Sequence, residues 1–158
     1  MKIGVPMEPE GETRVAIVPG SMKKLMKSGF EVVIQKGAGI AANYSDSEYQ
    51  DAGATIGSRD EVLSCEIIIS IRIPEAKELS KGQIVACVAD PFRHPEKVQA
   101  CIDGSVTLLS MDMIPRRLSR AQSMDVNSSQ DNLAGYKAVL LGASQVPRGI
   151  PMMTTSAG

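Results

Sequence analysis

The stretch Glu66-Ile-Ile-Ile-Ser-Ile71 is a nearly unbroken run of β-branched residues. Such a run is typical of a central parallel strand that is covered on both faces. Further strands are predicted over residues 2–6, 30–35, 54–56, 83–88 and 106–111, with helices over 21–28, 45–51, 58–64 and 95–102. This alternation predicts an α/β fold with a parallel, flavodoxin- or Rossmann-like sheet, in which residues 106–111 form the last buried strand.

The composition narrows the class of protein. With 158 residues, of which 43% are hydrophobic, the chain suits a single domain with a real core. Seventeen basic and eighteen acidic residues give a net charge of −1, so nothing indicates nucleic-acid binding. We expect no transmembrane helix, because no apolar run approaches about 18 residues. We also expect no signal peptide, because none precedes the first predicted strand.

Few residues suit metal or covalent chemistry. Cys65, Cys87 and Cys101 lie in separate apolar runs. They are expected to be buried thiols in a reducing compartment rather than a disulfide or zinc framework. The single histidine, His94, precedes Pro95 in a polar turn. We therefore predict no metal site and no Ser-His-Asp or Cys-His catalytic set.

A polar stripe follows Ile114. A long helix is predicted over residues 119–146, and three arginines crowd its approach: Arg116, Arg117 and Arg120. Helical spacing places five polar residues in one sector about 120° wide, namely Gln122, Asp125, Ser128, Ser129 and Asn132. Arginine pairs with phosphates and carboxylates, and a helix N-terminus attracts anions. The stripe is therefore a candidate site for an anionic ligand.

Part of this stripe also has a structural interpretation. Ser119-Arg-Ala-Gln122 has the spacing of a capping box, in which the serine and glutamine side chains satisfy backbone amides at the start of a helix. A capping box would explain Ser119 and Gln122 without any ligand. It would not explain Asp125 and Ser128 on the same stripe.

A glycine motif lies after the second predicted strand. Gly37-Ala-Gly39-Ile-Ala-Ala42 nominally satisfies the dinucleotide pattern G-x-G-x-x-A. That pattern requires a substantial helix whose N-terminus holds a pyrophosphate. Here Asn43-Tyr-Ser45 interrupts the chain, so we interpret the motif as a turn.

Two stretches resemble one family, the alanine dehydrogenase and nicotinamide nucleotide transhydrogenase group. The first runs Gly4-Val-Pro-x-Glu8-x-x-x-Glu12-x-Arg14-Val-Ala16-x-x-Pro19, with Lys36-Gly-Ala-Gly39 further on. The second comprises Ile114-Pro-Arg, Arg120-Ala-Gln-Ser-Met-Asp125, Ser128-Ser129, Asn132-Leu-Ala-Gly-Tyr136 and Pro151-Met-Met-Thr. This second stretch is similar to the alpha subunit of transhydrogenases, their soluble NAD(H)-binding component. The resemblance covers essentially the whole chain.

The resemblance implies a function and a set of partners. In such transhydrogenases, hydride passes between NAD(H) on this component and NADP(H) on a beta subunit, coupled to proton movement through a membrane component. The implied NAD(H) site contains Arg117, Gln122, Asp125 and Ser128, of which Arg117 and Gln122 act as the catalytic residues that position the nicotinamide ring. The resemblance further implies a homodimer, placed peripherally on the cytoplasmic or mitochondrial matrix side of a membrane through the partner subunits.

The chain departs from the family pattern beside its key arginine. The family has a catalytically important arginine five positions before the glutamine, which is Arg117 here. One extra residue lies between Pro115-Arg116 and Arg120, so counting forward from the proline gives Arg116 instead. We prefer Arg117, because the predicted helix sets the register backwards from Gln122.

The resemblance also implies a domain organisation. Residues 1–118 form the N-terminal α/β domain, residues 119–146 an inter-domain helix, and residues 147–158 a loop towards a second, glycine-rich Rossmann domain that is absent from this sequence. The NAD(H) site is then incomplete. We expect the isolated chain to be inactive unless a complementing chain supplies the Rossmann half.

Two alternative functions remain open. Alanine dehydrogenases use an arginine that matches Arg14 to hold pyruvate, together with a lysine and a histidine. Here the lysine position carries Arg72 and the histidine position falls near Asp90, and arginine is a poor proton shuttle. From the sequence alone, Arg14 is expected to form a salt bridge with a nearby glutamate. The other alternative is a non-catalytic interaction module that retains the family's dimer or docking surfaces.

Overall fold

The computed structural model describes residues 1–149 and divides into two units. The first unit is Met1–Met113, and the second begins at Ile114. The predicted loop from residue 150 onward, which includes the Pro151-Met-Met-Thr motif, lies outside the described residues.

The first unit is a parallel sheet with helical connections. Its strands are β1 (Lys2–Val5), β2 (Glu31–Gln35), β3 (Thr55–Gly57), β4 (Ile67–Arg72), β5 (Ile84–Val88) and β6 (Thr107–Ser110). Its α-helices are α1 (Met22–Lys27), α2 (Asp46–Asp51), α3 (Arg59–Leu63) and α4 (Pro95–Asp103). The strand order is β3-β2-β1-β4-β5-β6, and every neighbouring pair is parallel. This confirms the predicted α/β class and parallel sheet.

Local sequence signals start the short helices. Ser45 caps α2 and Ser58 caps α3, each through a capping box with the glutamate three residues later. The glutamate carboxylate of each box accepts the serine backbone N–H at 2.7 Å. Each box therefore satisfies two of the backbone amides that a helix start leaves without partners.

The core of the first unit consists of two clusters of buried apolar residues. One is built mainly on β1 and β2 and includes Val5, Ile34 and Tyr49. The other is built mainly on β4 and β5 and includes Ile68 and Val85. Along β4, buried residues alternate with half-buried ones, so this strand is covered fully on one face and only partly on the other.

Residues 106–111 contain a strand, as predicted, but the prediction that this strand is buried is wrong. β6 lies at the edge of the sheet, where it pairs only with β5. Thr107 and Leu109 are exposed, whereas Val106 and Leu108 pack against the second cluster. An apolar run shows that a strand forms, but it does not show whether both faces of that strand are covered.

The second unit is built on a long helix, α5 (Val126–Gln145). The predicted start at Ser119 is wrong, because residues before Asp125 form turns and a short 3-10 helix, Gln122–Met124. The Asp125 backbone is extended, and its carboxylate accepts the N–H of Ser128, so Asp125 is the N-cap. The apolar residues Leu133, Tyr136, Val139 and Leu140 of α5 are exposed.

Candidate functional site

The first unit has a cavity of about 620 Å³ at the carboxyl ends of its central strands. Pro6 and Glu8 reach it from the segment after β1, Arg72 from the end of β4, and Asp90 from the segment after β5. The strand order reverses between β1 and β4, because β2 follows β1 on one side and β4 lies on the other. In open parallel sheets, such a reversal creates the crevice in which ligands bind.

Glu8 forms hydrogen bonds with the end of β4 beside this cavity. Its two carboxylate oxygens accept the backbone N–H groups of Ile71 at 2.6 Å and Arg72 at 2.9 Å. Burial raises the pKa of Glu8 above its ordinary value, and the two backbone hydrogen bonds oppose that rise. Glu8 therefore joins the loop after β1 to the sheet.

Glu12 holds two arginines. Its carboxylate accepts hydrogen bonds from Nε of Arg14 at 2.7 Å and from Nη2 of Arg14 at 2.6 Å. It also accepts a hydrogen bond from Nε of Arg72 at 3.2 Å. The Arg14 hydrogen bonds are the main cause that lowers the pKa of Glu12 to about 2. The salt bridge predicted for Arg14 is therefore confirmed, with Glu12 as its partner.

Two further ion pairs and one serine complete the wall of the cavity. Arg59 pairs with Glu78 at 2.8 Å, and Lys97 pairs with Glu75 at 3.7 Å. Ser70 on β4 also lines the cavity, and its buried hydroxyl has no hydrogen-bond partner among the described residues. Two of the cationic side chains that line the cavity, Arg59 and Lys97, are therefore paired with glutamates of the same lining.

The glycine motif after β2 forms a turn, as predicted. A 3-10 helix covers Ile40–Ala42, and Asn43 ends it in the left-handed conformation at φ 62°. A Cβ atom on Gly39 would lie 2.6 Å from the ring of Tyr49 and 2.8 Å from the carbonyl oxygen of Tyr44. The glycine is therefore required for the packing of tyrosines, and no long helix follows to hold a pyrophosphate.

The arginine-rich segment before α5 places Asp125 at the centre of a polar cluster. Asp125 Oδ1 accepts the Ser128 backbone N–H at 3.0 Å, and Oδ2 accepts the Ser128 hydroxyl at 2.6 Å. Arg116 Nε lies 3.4 Å from the same Oδ2. These hydrogen bonds from Ser128, together with Arg116, lower the pKa of Asp125, which is therefore a carboxylate at neutral pH.

The structure brings together only some of the predicted site residues. Asp125 and Ser128 are in direct contact, whereas Gln122 lies in the preceding 3-10 helix and not on the face of α5. The predicted capping box is wrong, because neither Ser119 nor Gln122 caps a helix. Arg117 and Gln122 are exposed, and within residues 1–149 neither side chain forms an ion pair or a hydrogen bond.

The sequence favoured Arg117 over Arg116 as the residue at the position of the family's catalytic arginine. Arg116 is the arginine that pairs with Asp125. The signal for Arg116 in the sequence is the extra residue before Arg120, because counting forward from Pro115 across that residue gives Arg116 and not Arg117.

The three cysteines are inaccessible, whereas the single histidine lines the cavity of the first unit. All three cysteines are free and buried, and burial raises the pKa of Cys87 to about 12. His94 is half-exposed, and its Nδ1 lies 3.3 Å from Glu96. No cluster of three or more metal-binding side chains occurs among residues 1–149. Within the same residues, no helix is long and apolar enough to cross a membrane.

Comparison with known proteins places this geometry in a family. Residues 4–134 match the family described as alanine dehydrogenase/PNT, N-terminal domain. NAD(P) transhydrogenase subunit alpha of Cereibacter sphaeroides is 39% identical, over 100% of this chain and 31% of its own length. Alanine dehydrogenase of Bacillus subtilis (strain 168) is 28% identical, over 94% of this chain and 40% of its own length.

A solved structure is also similar. The crystal structure of transhydrogenase from Sinorhizobium meliloti matches 100% of this chain and 48% of its own, with a TM-score of 0.90 and 39% identity. The present chain thus spans less than half the length of these relatives. With its parallel sheet and its arginine-rich segment, this chain belongs to the alanine dehydrogenase/PNT N-terminal domain family, and it is more similar to the transhydrogenase alpha subunit than to the alanine dehydrogenase.

Proposed function

We propose that this chain is the N-terminal part of a transhydrogenase alpha subunit and supplies the nicotinamide-side residues for hydride transfer between NAD(H) and NADP(H). One observation carries the proposal. The Asp125–Ser128 pair stands in the same short segment as Arg117 and Gln122, whose side chains are exposed and uncommitted within residues 1–149. The family similarity extends over this segment.

The chemistry of these side chains fits the nicotinamide end of a dinucleotide. The carboxamide of Gln122 offers an acceptor and two donor hydrogens, which complements the carboxamide of a nicotinamide. Ser128 presents a hydroxyl, and Arg117 presents a guanidinium suited to a carbonyl or phosphate oxygen. The bound cofactor itself supplies the hydride chemistry, so no side chain of this chain needs to act as an acid or base.

The role of the chain is then to bind and orient. Arg117 and Gln122 would position the nicotinamide ring, while Asp125 and Ser128 would anchor the amide or the ribose hydroxyls. Such orientation lowers the barrier to transfer, because it removes rotations that the reactants would otherwise have to lose. This proposal requires three partners: the NADP(H)-binding beta subunit, the membrane component and a second copy of the chain in a homodimer.

An alanine dehydrogenase function has less support. It would require an uncommitted arginine for the substrate carboxylate and a proton shuttle beside it. Arg14 and Arg72 both pair with Glu12, and arginine stays protonated at working pH. The non-catalytic interaction module stays the second candidate, because the exposed apolar residues of α5 suit a docking surface.

Complementation tests the proposal. The chain is mixed with a polypeptide that carries the remaining length of a transhydrogenase alpha subunit, together with the NADP(H)-binding subunit, and reduction of a thio-NADP analogue by NADH is followed by absorbance. We expect hydride transfer in the mixture. The rate of transfer should fall about tenfold or more for Arg117→Ala or Gln122→Ala, and it should not change for the control Lys137→Ala on α5.

Other outcomes would select other functions. Co-purification without transfer would favour the interaction module. Alanine-dependent reduction of NAD would favour an alanine dehydrogenase. We expect only weak binding of NADH to this chain alone, because it spans less than half the length of its relatives. A micromolar Kd by calorimetry would contradict that expectation.

A further inference from the structure

Arg116 and Arg117 are adjacent but differ in their surroundings. Arg116 Nε lies 3.4 Å from Asp125 Oδ2. Arg117 forms no ion pair with any residue of the described chain. Of the two arginines, only Arg116 is paired within residues 1–149.

The hydrogen bonds of Asp125 are close to saturation. A carboxylate offers about four acceptor positions. Those of Asp125 face the backbone N–H of Ser128, the hydroxyl of Ser128, Nε of Arg116 and the backbone N–H of Asn127. Within the anchor proposed above, Asp125 therefore acts mainly by holding the Ser128 hydroxyl.

The direction of one of these bonds sets the chemistry of Ser128. A carboxylate only accepts hydrogen bonds, so the Ser128 hydroxyl must donate its proton to Asp125 over their 2.6 Å separation. The lone pairs of the Ser128 oxygen then point elsewhere. An ionised Asp125 therefore turns Ser128 into a hydrogen-bond acceptor for any ligand.

We propose that Arg116 is a positioning residue that, by pairing with Asp125, keeps this carboxylate aimed at Ser128, so that Ser128 presents an acceptor to a ligand N–H or O–H while Arg117 stays free to contact the ligand. The identity of that ligand as NAD(H) rests on the proposed function. The arrangement of Arg116, Asp125 and Ser128 does not. The side chain of Arg116 is 55% exposed, so its removal is expected to weaken the arrangement several-fold rather than abolish it.

The first test requires no cofactor. The titration of the Asp125 carboxyl group is followed by carbon-13 NMR on the full chain, in wild type and in Arg116→Ala, Arg116→Lys and Arg120→Ala. We expect Arg116→Ala to raise the titration midpoint of Asp125 and Arg116→Lys to restore most of the wild-type value. Arg120→Ala removes the same charge from the same segment and should leave the midpoint nearly unchanged. Equal shifts from both alanine variants would overturn the pairing.

The second test measures the role towards the ligand in the complemented enzyme. Arg116→Ala should raise the KM for NADH about three- to tenfold with a smaller change in kcat, and Arg116→Lys should recover part of the loss. Adding Arg116→Ala to Asp125→Asn should cause no further loss, because both changes break one arrangement. Additive effects would overturn the inference. If wild type itself shows no transfer, the proposed function fails, and the NMR titration still decides whether Arg116 positions Asp125.

Discussion

Glu12 illustrates how much one carboxylate can organise in this fold. It binds Arg14 through both guanidinium contacts and Arg72 through a third, and its own side chain is only 9% exposed. Replacing this mostly buried carboxylate leaves two partly exposed guanidinium groups without their partner. We therefore expect Glu12→Gln to destabilise the first unit by roughly 2 kcal/mol at neutral pH, allowing for the partial exposure of both arginines. Chemical denaturation would measure the loss, with Glu10→Gln as the control, since Glu10 is exposed and has no ion pair among residues 1–149.

The same contact has a definite pH dependence. The pKa of Glu12 is about 2 in the folded chain and 4.5 ordinarily, so the folded state favours the charged form. The stabilisation is therefore complete above pH 4.5 and is lost as the pH falls towards 2. The difference in unfolding free energy between wild type and Glu12→Gln should shrink over that window. A difference that stays constant down to pH 2 would show that packing, and not charge, explains the variant.

The arginine pair shows where residue-level prediction from the sequence stops. The motif around Arg116 and Arg117 could be recognised, and the extra residue could be counted. Which guanidinium reaches Asp125 depends on the turns between Pro115 and Asp125, and those turns have no periodicity that a pattern could report. Roles along an irregular segment therefore require coordinates.

Among the secondary-structure elements, the turn after β2 tests whether a glycine serves packing or a ligand. A Cβ atom on Gly39 would meet the Tyr49 ring at 2.6 Å and the backbone oxygen of Tyr44 at 2.8 Å. Overpacking of this kind costs about 1–3 kcal/mol. Gly39→Ala should therefore lower the unfolding free energy by that amount, whereas the control Gly20→Ala, which has no neighbouring atom within 4 Å, should not. Loss of nucleotide binding in Gly39→Ala at unchanged stability would instead support a dinucleotide-binding turn.

Helix starts were predictable only where one signal dominated. Ser45 and Ser58 each precede a short polar helix, and each is the N-cap there. Before α5, Ser119 and Asp125 both have side chains suited to capping, and only Asp125 caps a helix. Its carboxylate is stabilised as a cap by Arg116 and by the Ser128 hydroxyl, two contacts that the local spacing does not reveal.

For the whole molecule, the alternation of strands and helices along the chain could be predicted from the apolar pattern, because parallel βα units bury continuous apolar runs. The cavity beside β1 and β4 did not, since Glu8, Ser70 and Asp90 are far apart in sequence and meet only through the strand order. Membership in the family came from motifs that extend over both units. Composition and periodicity alone would have ended at the fold class.

The long helix of the second unit leads to the last prediction. Leu133, Tyr136 and Leu140 recur at intervals of three and four residues, so they form one stripe along α5, and each is at least 49% exposed. An exposed apolar stripe of this kind favours contact with another surface, and in a solution of this chain alone the available surface is a second copy. We expect concentration-dependent self-association in analytical ultracentrifugation. Leu140→Glu should reduce it, and Ala138→Glu, which adds the same charge on the opposite side of the helix, should not. A chain that stays monomeric at high concentration, or two variants that behave alike, would show that this stripe does not bind another copy.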